Sequence, residues 1–377
     1  MFRKRLFISF IITIFTFLLS GFVIIEMLNA SSILPSDKSS SMELSDLYFR
    51  VSDKQNKSYL SKDVLVVATD GCSRKDIAQI IDALSFMEAS TIGVDIIFKY
   101  ETQNDSVLVA AVNNYDGSIV FAYDLNNQLF SDSNVEEYPI YGHFTDARYG
   151  FINFFADNQD IIRTSSPFVK DGIELKNSFT TEIVECKDSN KFSLLLDRNG
   201  EDEMISFLSK EFLTIYPDDL FIDGQMPDME YGALIKDKIV LLGDINELSD
   251  LHKIPTGEHV PGIYIHAYTL ETILKNSYIN QMDNTIVVII AFVWCLLFSY
   301  ILIVAKEQYS AVDNMLIRFI QILSMYIFFV VGYHLFIKYN YYIDFLYIIM
   351  MTGLCSLVYE FVLGIQDFYS KVKPHFK

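Results

Sequence analysis

Apolar positions in this 377-residue chain follow two different rhythms. Four runs are almost free of charge: 6–25 near the start, then 286–305, 316–337 and 343–365 in the last quarter. Each is long enough to cross a hydrocarbon core of about 30 Å as a helix. Between the first and second runs, from Asn29 to Asn284, apolar residues come instead in short bursts separated by polar stretches. That second rhythm belongs to a folded, water-exposed domain. It divides the chain into an N-terminal stub with a membrane helix (1–28), a linker (29–43), an exterior domain (44–284), three membrane helices (285–365) and a short tail (366–377).

Within the exterior domain, 64–69 (VLVVAT) is a nearly all-apolar, β-branched burst, the pattern of a strand buried on both faces. It ends at Asp70-Gly71, a turn signal. Ser73 with Asp76 three residues later forms a capping box, and Ile77, Ile80, Ile81 and Leu84 continue at helical spacing. A strand over 91–98 (TIGVDIIF), a helix over 105–112 and a strand over 118–123 (SIVFAY) follow. Late in the domain, 238–243 (KIVLLG) is a strand, and Pro261-Gly262 opens a helix running to Leu274. Between these blocks, 151–155, 161–169, 192–196 and 204–208 read as strands and 176–185 as a helix. Strands alternating with helices over short connections predict an α/β domain with a mainly parallel or mixed sheet. Ligands of such sheets gather at the carboxyl ends of the strands. Asp70 ends the first strand there, Gly243-Asp244 ends the late one, and Asp95 lies within the second, three residues before its predicted end.

Charge then fixes which side is which. Lys and Arg near the ends of spanning helices favour the cytoplasm. Arg3, Lys4 and Arg5 precede the first run, Lys306 and Arg318 flank the connector between the second and third, and Lys371, Lys373 and Lys377 follow the fourth. Four spans with both termini cytoplasmic put 29–284 outside the inner membrane. The first run is longer than the apolar stretch of an ordinary signal peptide, which favours an uncleaved anchor. Cleavage near Leu28-Asn29-Ala30 is the alternative.

The net charge of −19 is concentrated in the exterior region, where 30–284 holds 20 Lys and Arg against 42 Asp and Glu. A domain this acidic is unsuited to nucleic acid or anionic headgroups, both of which require positive charge. Cys72 and Cys186 lie outside and Cys295 and Cys355 within spans; spacing alone leaves open whether the exterior pair forms a disulfide. No Ser elbow, phosphate-binding loop, HExxH or kinase or cyclase signature occurs, so no catalytic residue and no cofactor is expected.

The order of these motifs resembles the type-2 CHASE family, extracellular sensory domains of bacterial cyclases, histidine kinases and serine/threonine kinases. The likeness begins at 44–50 (LSDLYFR) and continues through VLVVATD (64–70), GVDIIF (93–98), and Asp105 with Val107-Leu108. Gly150, Asn153, Asp160 and Arg163 resemble the family's mid-domain stretch, and KIVLLG (238–243) with PGIYIHA (261–267) its closing strand and helix. It covers about 44–280, with three trailing spans also a family habit. There are two departures. GCSRKD (71–76) replaces a Trp/Pro/Arg-rich segment, and Asp160 is followed by Ile-Ile rather than Asp-Gly.

The resemblance implies a sensor, and the short stretch after the fourth span predicts a stand-alone member without its own cytoplasmic output. Candidate ligand-binding residues are Asp70, Asp95, Asp160, Arg163 and His266. Asp70, Asp95 and Asp160 have the oxygen chemistry of a divalent-cation site, but helix capping and turn hydrogen bonds account for each as well, and no metal ligand set is assigned. His266, on the apolar face of the last exterior helix, is either a ligand contact or a satisfied structural histidine. Expected partners are a separate output protein at or in the membrane, lipid, an exterior ligand and a second copy in a homodimer. A non-switching envelope scaffold and a small transporter built from the tail helices are the other classes the sequence permits.

Overall fold

A computed structural model describes residues 2–33, 43–55, 59–125, 139–154, 161–171, 174–198, 202–208, 210–222, 226–308 and 314–372. They form two compact units, Met1–Tyr48 with Asn280–Lys377, and Phe49–Ile279.

The first unit is built on four helices long and apolar enough to cross a membrane, within Phe2–Gly21, Asn284–Glu307, Met315–Tyr339 and Phe345–Ile365. The fourth packs against each of the other three, and the first also packs on the second. Lipid is as apolar as leucine, so packing and polar contacts hold such helices together. Here Ser9 and Ser299 share a hydrogen bond of 2.5 Å, Trp294 Nε1 donates to Thr352 Oγ1 at 2.9 Å, and Tyr359 donates to the Leu302 carbonyl. Charges collect at one end of the bundle. Arg5 pairs with Glu307, and Arg318 bridges Glu360, Ser356 and Gln321. Glu360 is thus held by an arginine of the neighbouring helix.

The helix α1 (Leu44–Gln55) begins in this unit and ends in the second. Its Tyr48 is fully buried among Phe329, Phe336 and Tyr333, with ring centroids 5.4 to 6.0 Å away.

The second unit is a three-layer α/β domain. Its strands β1 (Val64–Ala68), β2 (Thr91–Asp95), β3 (Ser118–Tyr123), β4 (Arg148–Phe151), β5 (Thr214–Ile215) and β6 (Ile239–Gly243) form one sheet in the order β5-β1-β6-β2-β3-β4. Every adjacent pair is parallel. The central strands β1 and β6 are buried at each position, as their unbroken apolar composition requires. Helices α2 (Arg74–Phe86) and α3 (Asp105–Asn113) cover one face, packing with Leu65, Val67, Val240 and Leu242. On the other face, α4 (Phe179–Lys187) and α7 (Gly262–Leu274) pack with Val64, Val66, Ile239 and Leu241. Between them in sequence lie α5 (Ser189–Asp197) and α6 (Met229–Ile235). The expected capping box at Ser73 and Asp76 opens α2. Cys72 and Cys186 are free thiols packed against opposite faces of the sheet.

The middle of the domain departs from the sequence reading. Residues 192–196, read as a strand, lie in α5: Asp188 caps that helix by accepting from the Asn190 and Lys191 N–H groups. Only Leu195 of its leucines is buried, so a five-residue run was too short to reveal the helical period. The run 161–169 is divided among three partners. Ile161 bridges Lys253, Thr164–Ser165 pairs with Glu203–Met204, and Phe168–Asp171 pairs with Glu174–Asn177. That last pairing removes the first residues of the helix expected over 176–185, which instead starts after the Ser178 cap. Of the strands read at 204–208 and 151–155, the described residues, which end at 154 in the second run, form only Glu203–Met204 and the shifted Arg148–Phe151.

Candidate functional site

Strand β6 lies between β1 and β2, and the chain leaves these strands in opposite directions. From β1 and β2 it passes to α2 and α3 on one face. From β6 it runs through an antiparallel hairpin, β7 (Leu251–Lys253) and β8 (His259–Pro261), to α7 on the other face. Connections that diverge in this way open crevices at the carboxyl ends of the strands, where ligands of open α/β sheets bind. Two crevices flank β6.

In the first, between β6 and β1, Asp70 faces Asp244. Asp70 accepts from the Ile245 and Asn246 N–H groups at 3.2 and 2.8 Å, and Asp244 accepts from the Asn246 and Glu247 N–H groups. Burial would raise Asp70, but hydrogen bonds from the Asp244 carboxyl and these backbone N–H groups outweigh it and hold Asp70 below its ordinary range. The Asp70 carboxylate beside it, with burial, pushes Asp244 up. This pair folds the turn after β6, the Oδ1 atoms taking the backbone N–H groups of that turn.

The second crevice, between β6 and β2, is different. Strand β2 ends at Asp95 rather than Phe98, which brings this carboxylate to the sheet edge. Gly243 beside it has no room for a side chain, since a Cβ would lie 2.5 Å from Ile263 Cδ1 and 3.4 Å from Asp95 Cβ. Asp250, just before β7, accepts from the Gly262 N–H at 2.9 Å and contacts His252 Nε2 at 3.2 Å. Gly262 permits that approach, because a Cβ there would meet the Asp250 carboxylate at 2.8 Å. Phe154 stacks on His266 at 4.6 Å and stands edge-on to His252 at 5.5 Å, while Phe179 approaches His266 from a second side at 5.2 Å.

Asp95 is densely surrounded yet keeps a narrow opening to solvent, and no hydrogen bond reaches it among the described residues. Desolvation, and secondarily the charge of Asp250, push it up to about 7. His266 is 5% exposed, and its ring nitrogens likewise lack hydrogen-bond partners among the described residues. Burial lowers it to about 3, with Asp250 pulling upward and His252 downward, so it is neutral at physiological pH.

Of the five residues singled out from sequence, the structure brings Asp95 and His266 into the field of a common neighbour, Asp250. Asp70 occupies the adjacent crevice. Arg163 is buried beside the β7 backbone, where Ile162 N–H donates to the Lys253 carbonyl, and its charge does not bear on Asp95 or His266. Asp160 lies outside the described residues. The sequence reading missed Asp250, His252 and Phe154, whose convergence depends on the hairpin and has no local signature. Among the described residues no group of three or more His, Cys, Asp or Glu is arranged to hold a metal ion.

A family model described as the CHASE2 domain matches residues 22–304. The chain belongs to the CHASE2 family. Neither the curated proteins nor the solved structures contain a significant match. CHASE2 domains are extracellular sensory domains, and with four apolar helices this chain is a multi-pass membrane protein of sensory type. The match begins just after the first membrane span, takes in the whole second unit and reaches through most of the second membrane span. Both crevices therefore lie inside the CHASE2 domain.

Proposed function

We propose that this CHASE2 protein is a non-enzymatic receptor of a bacterial inner membrane. Its second unit lies outside and both termini lie in the cytoplasm. The observation that carries the reading is the β6–β2 crevice, a place built for ligands where the Asp95 carboxylate and the His266 ring nitrogens have no hydrogen-bond partner among the described residues. Buried polar groups without partners are rare in folded proteins, and a bound molecule is one way to satisfy them. Among the described residues no Ser, Thr or Cys hydroxyl or thiol is hydrogen-bonded to either histidine, which favours binding over nucleophilic chemistry.

Orientation is supported by the charged end of the helix bundle. Arg3, Lys4, Arg5, Lys306 and Arg318 gather at that end, with Lys338 at the other among the described residues of the spans, and basic ends stay cytoplasmic. Transmission has a route in the chain itself. The turn of the β7–β8 hairpin is held by Arg50 of α1, whose Nε donates to the Pro255 carbonyl at 3.2 Å. A shift of the hairpin on ligand binding thus acts on the helix that follows the first membrane span. A ligand biases such an equilibrium only through its differential affinity for the two states. In this reading the spans, working within a homodimer, hand the change to a separate output protein.

Thiol labelling in intact cells tests the reading. In an otherwise cysteine-free chain, Lys54→Cys should react with a membrane-impermeant maleimide from outside, and Lys306→Cys only after permeabilisation. The reverse pattern overturns the receptor interpretation.

A further inference from the structure

The charge pattern of the β6–β2 crevice specifies more than a generic ligand. Anions are the usual guests at such sheet edges because a helix N-terminus offers N–H donors and positive potential. Here that position is occupied: Asp250 takes the Gly262 N–H at the first turn of α7 and places its own negative charge there. Asp95 adds a second carboxylate, and among the described residues the charge that acts on it is that of Asp250. His266 supplies no compensating cation, since its ring is buried and neutral. The remaining wall is aromatic, with Phe154 lying against both His252 and His266, and Phe179 behind.

Two carboxylates whose basic neighbour among the described residues is the part-exposed His252 at Asp250, beside aromatic rings, repel phosphate and carboxylate groups and attract a cation. The separation of the groups does not suit a metal ion among the described residues, whereas an ammonium group needs no fixed coordination sphere and is attracted by ring faces. The ring nitrogens of His266, a residue only 5% exposed, are unpartnered among the described residues and remain for a polar group of the guest. We propose that this crevice binds a small organic cation, a primary or quaternary amine, with its charge on Asp95 and Asp250 and its body against Phe154 and His266. The inference rests on the receptor reading and names the ligand class of the same site.

Asp95 binds the cation as carboxylate, so binding expels its proton. The groups facing it are Asp250, with His252 beside that residue, and the neutral His266 of α7. Affinity for a permanently charged amine should therefore rise about tenfold between pH 6 and pH 8.

Isothermal titration of the full-length chain in nanodiscs decides the matter, with tetramethylammonium and methylammonium as cationic probes, acetamide as neutral probe, and acetate and inorganic phosphate as anionic ones. The expected result is binding of an ammonium probe that Asp95→Asn weakens at least tenfold, with the pH dependence abolished in that variant. Asp250→Asn should weaken it as well, and Asp70→Asn, in the neighbouring crevice, should leave it within twofold. Circular dichroism and hydrogen exchange confirm that each variant is folded. Binding of acetate, phosphate or acetamide that depends on Asp95 would overturn the ligand class while leaving the receptor reading in place. Ammonium binding indifferent to both Asp95→Asn and Asp250→Asn would overturn the site. Failure of every probe to bind would overturn the inference and remove the principal support of the receptor reading with it.

Discussion

The two crevices beside β6 hold the same chemical groups in opposite states. In the β6–β1 crevice, Asp70 and Asp244 draw on the N–H groups of Ile245, Asn246 and Glu247. In the β6–β2 crevice, Asp95 has no hydrogen bond among the described residues and faces another carboxylate. Both acids end parallel strands at the same sheet edge. What separates them is whether the fold itself has answered their charge. A carboxylate already answered shapes a turn; one left unanswered at a topological switch point is available to a partner. Position at the carboxyl edge is therefore necessary for recognition here, and saturation decides between the two.

The largest expected effect comes from removing the unanswered charge. Burial raises Asp95 to about 7 from an ordinary value near 3.8, so the folded state holds its proton more tightly than the unfolded chain does. The associated stability is complete below pH 4 and lost as pH rises through 7. His266 has the opposite sign. Lowered to about 3, it contributes stability above pH 6.5 that disappears as pH falls through 3. Over the window they share, the two slopes offset each other and the native curve should be nearly flat. Asp95→Asn removes one slope. It should leave stability near pH 4 unchanged, raise it at pH 8 by about 2–4 kcal/mol, and expose a rise between pH 3 and 6.5 due to His266. The sole tryptophan, Trp294, sits in a membrane helix and does not report on this unit, so hydrogen exchange in β6 is the measurement. A variant no more stable at pH 8 than the parent would mean that Asp95 is answered after all.

How much of this contrast is legible in sequence follows from how local each feature is. Strands β1 and β6 announce themselves because five consecutive apolar residues suit burial on both faces. The Ser73–Asp76 cap spans four residues and is equally plain. Asp70 and Asp95 were placed near the sheet edge by strand pattern alone, although the run TIGVDIIF concealed that the strand stops at Asp95. The other half of the second crevice is non-local. Phe154 meets His266 from more than 100 positions away, and Asp250 reaches Gly262 because β7 and β8 pair antiparallel between them. Single side chains brought together by a hairpin carry no periodicity. The same blindness affected Phe192–Leu196, where the Asp188 cap and the exposure of Leu194 and Leu196 outweighed an apolar run that looked like a strand.

A smaller effect should come from the answered crevice. Asp70→Ala strips the acceptor from the Ile245 and Asn246 N–H groups, and the former is partly buried. Leaving such donors without a partner should cost about 1–2 kcal/mol. Asp70→Asn keeps an acceptor oxygen and should recover part of that loss. Hydrogen exchange at Ile245 and Asn246 should quicken in the alanine variant while β2 stays protected. Equal losses in the two variants would show that the charge of Asp70, rather than its hydrogen bonds, holds the turn.

The smallest effect is the most diagnostic of how Asp250 is held. His252 contacts Asp250 at 3.2 Å, but both side chains remain about one-third exposed or more, at 33% and 41%. An ion pair so well solvated contributes under about 1 kcal/mol. The stronger constraint on Asp250 is the Gly262 N–H at 2.9 Å, where the first turn of α7 adds its dipole. His252→Ala should therefore change thermal stability by no more than about 2–3 °C and leave the exchange rate of the Gly262 amide unaltered. If that amide is exposed in the variant, the histidine rather than the helix positions Asp250. The wall of the unanswered crevice would then be movable by whatever contacts His252.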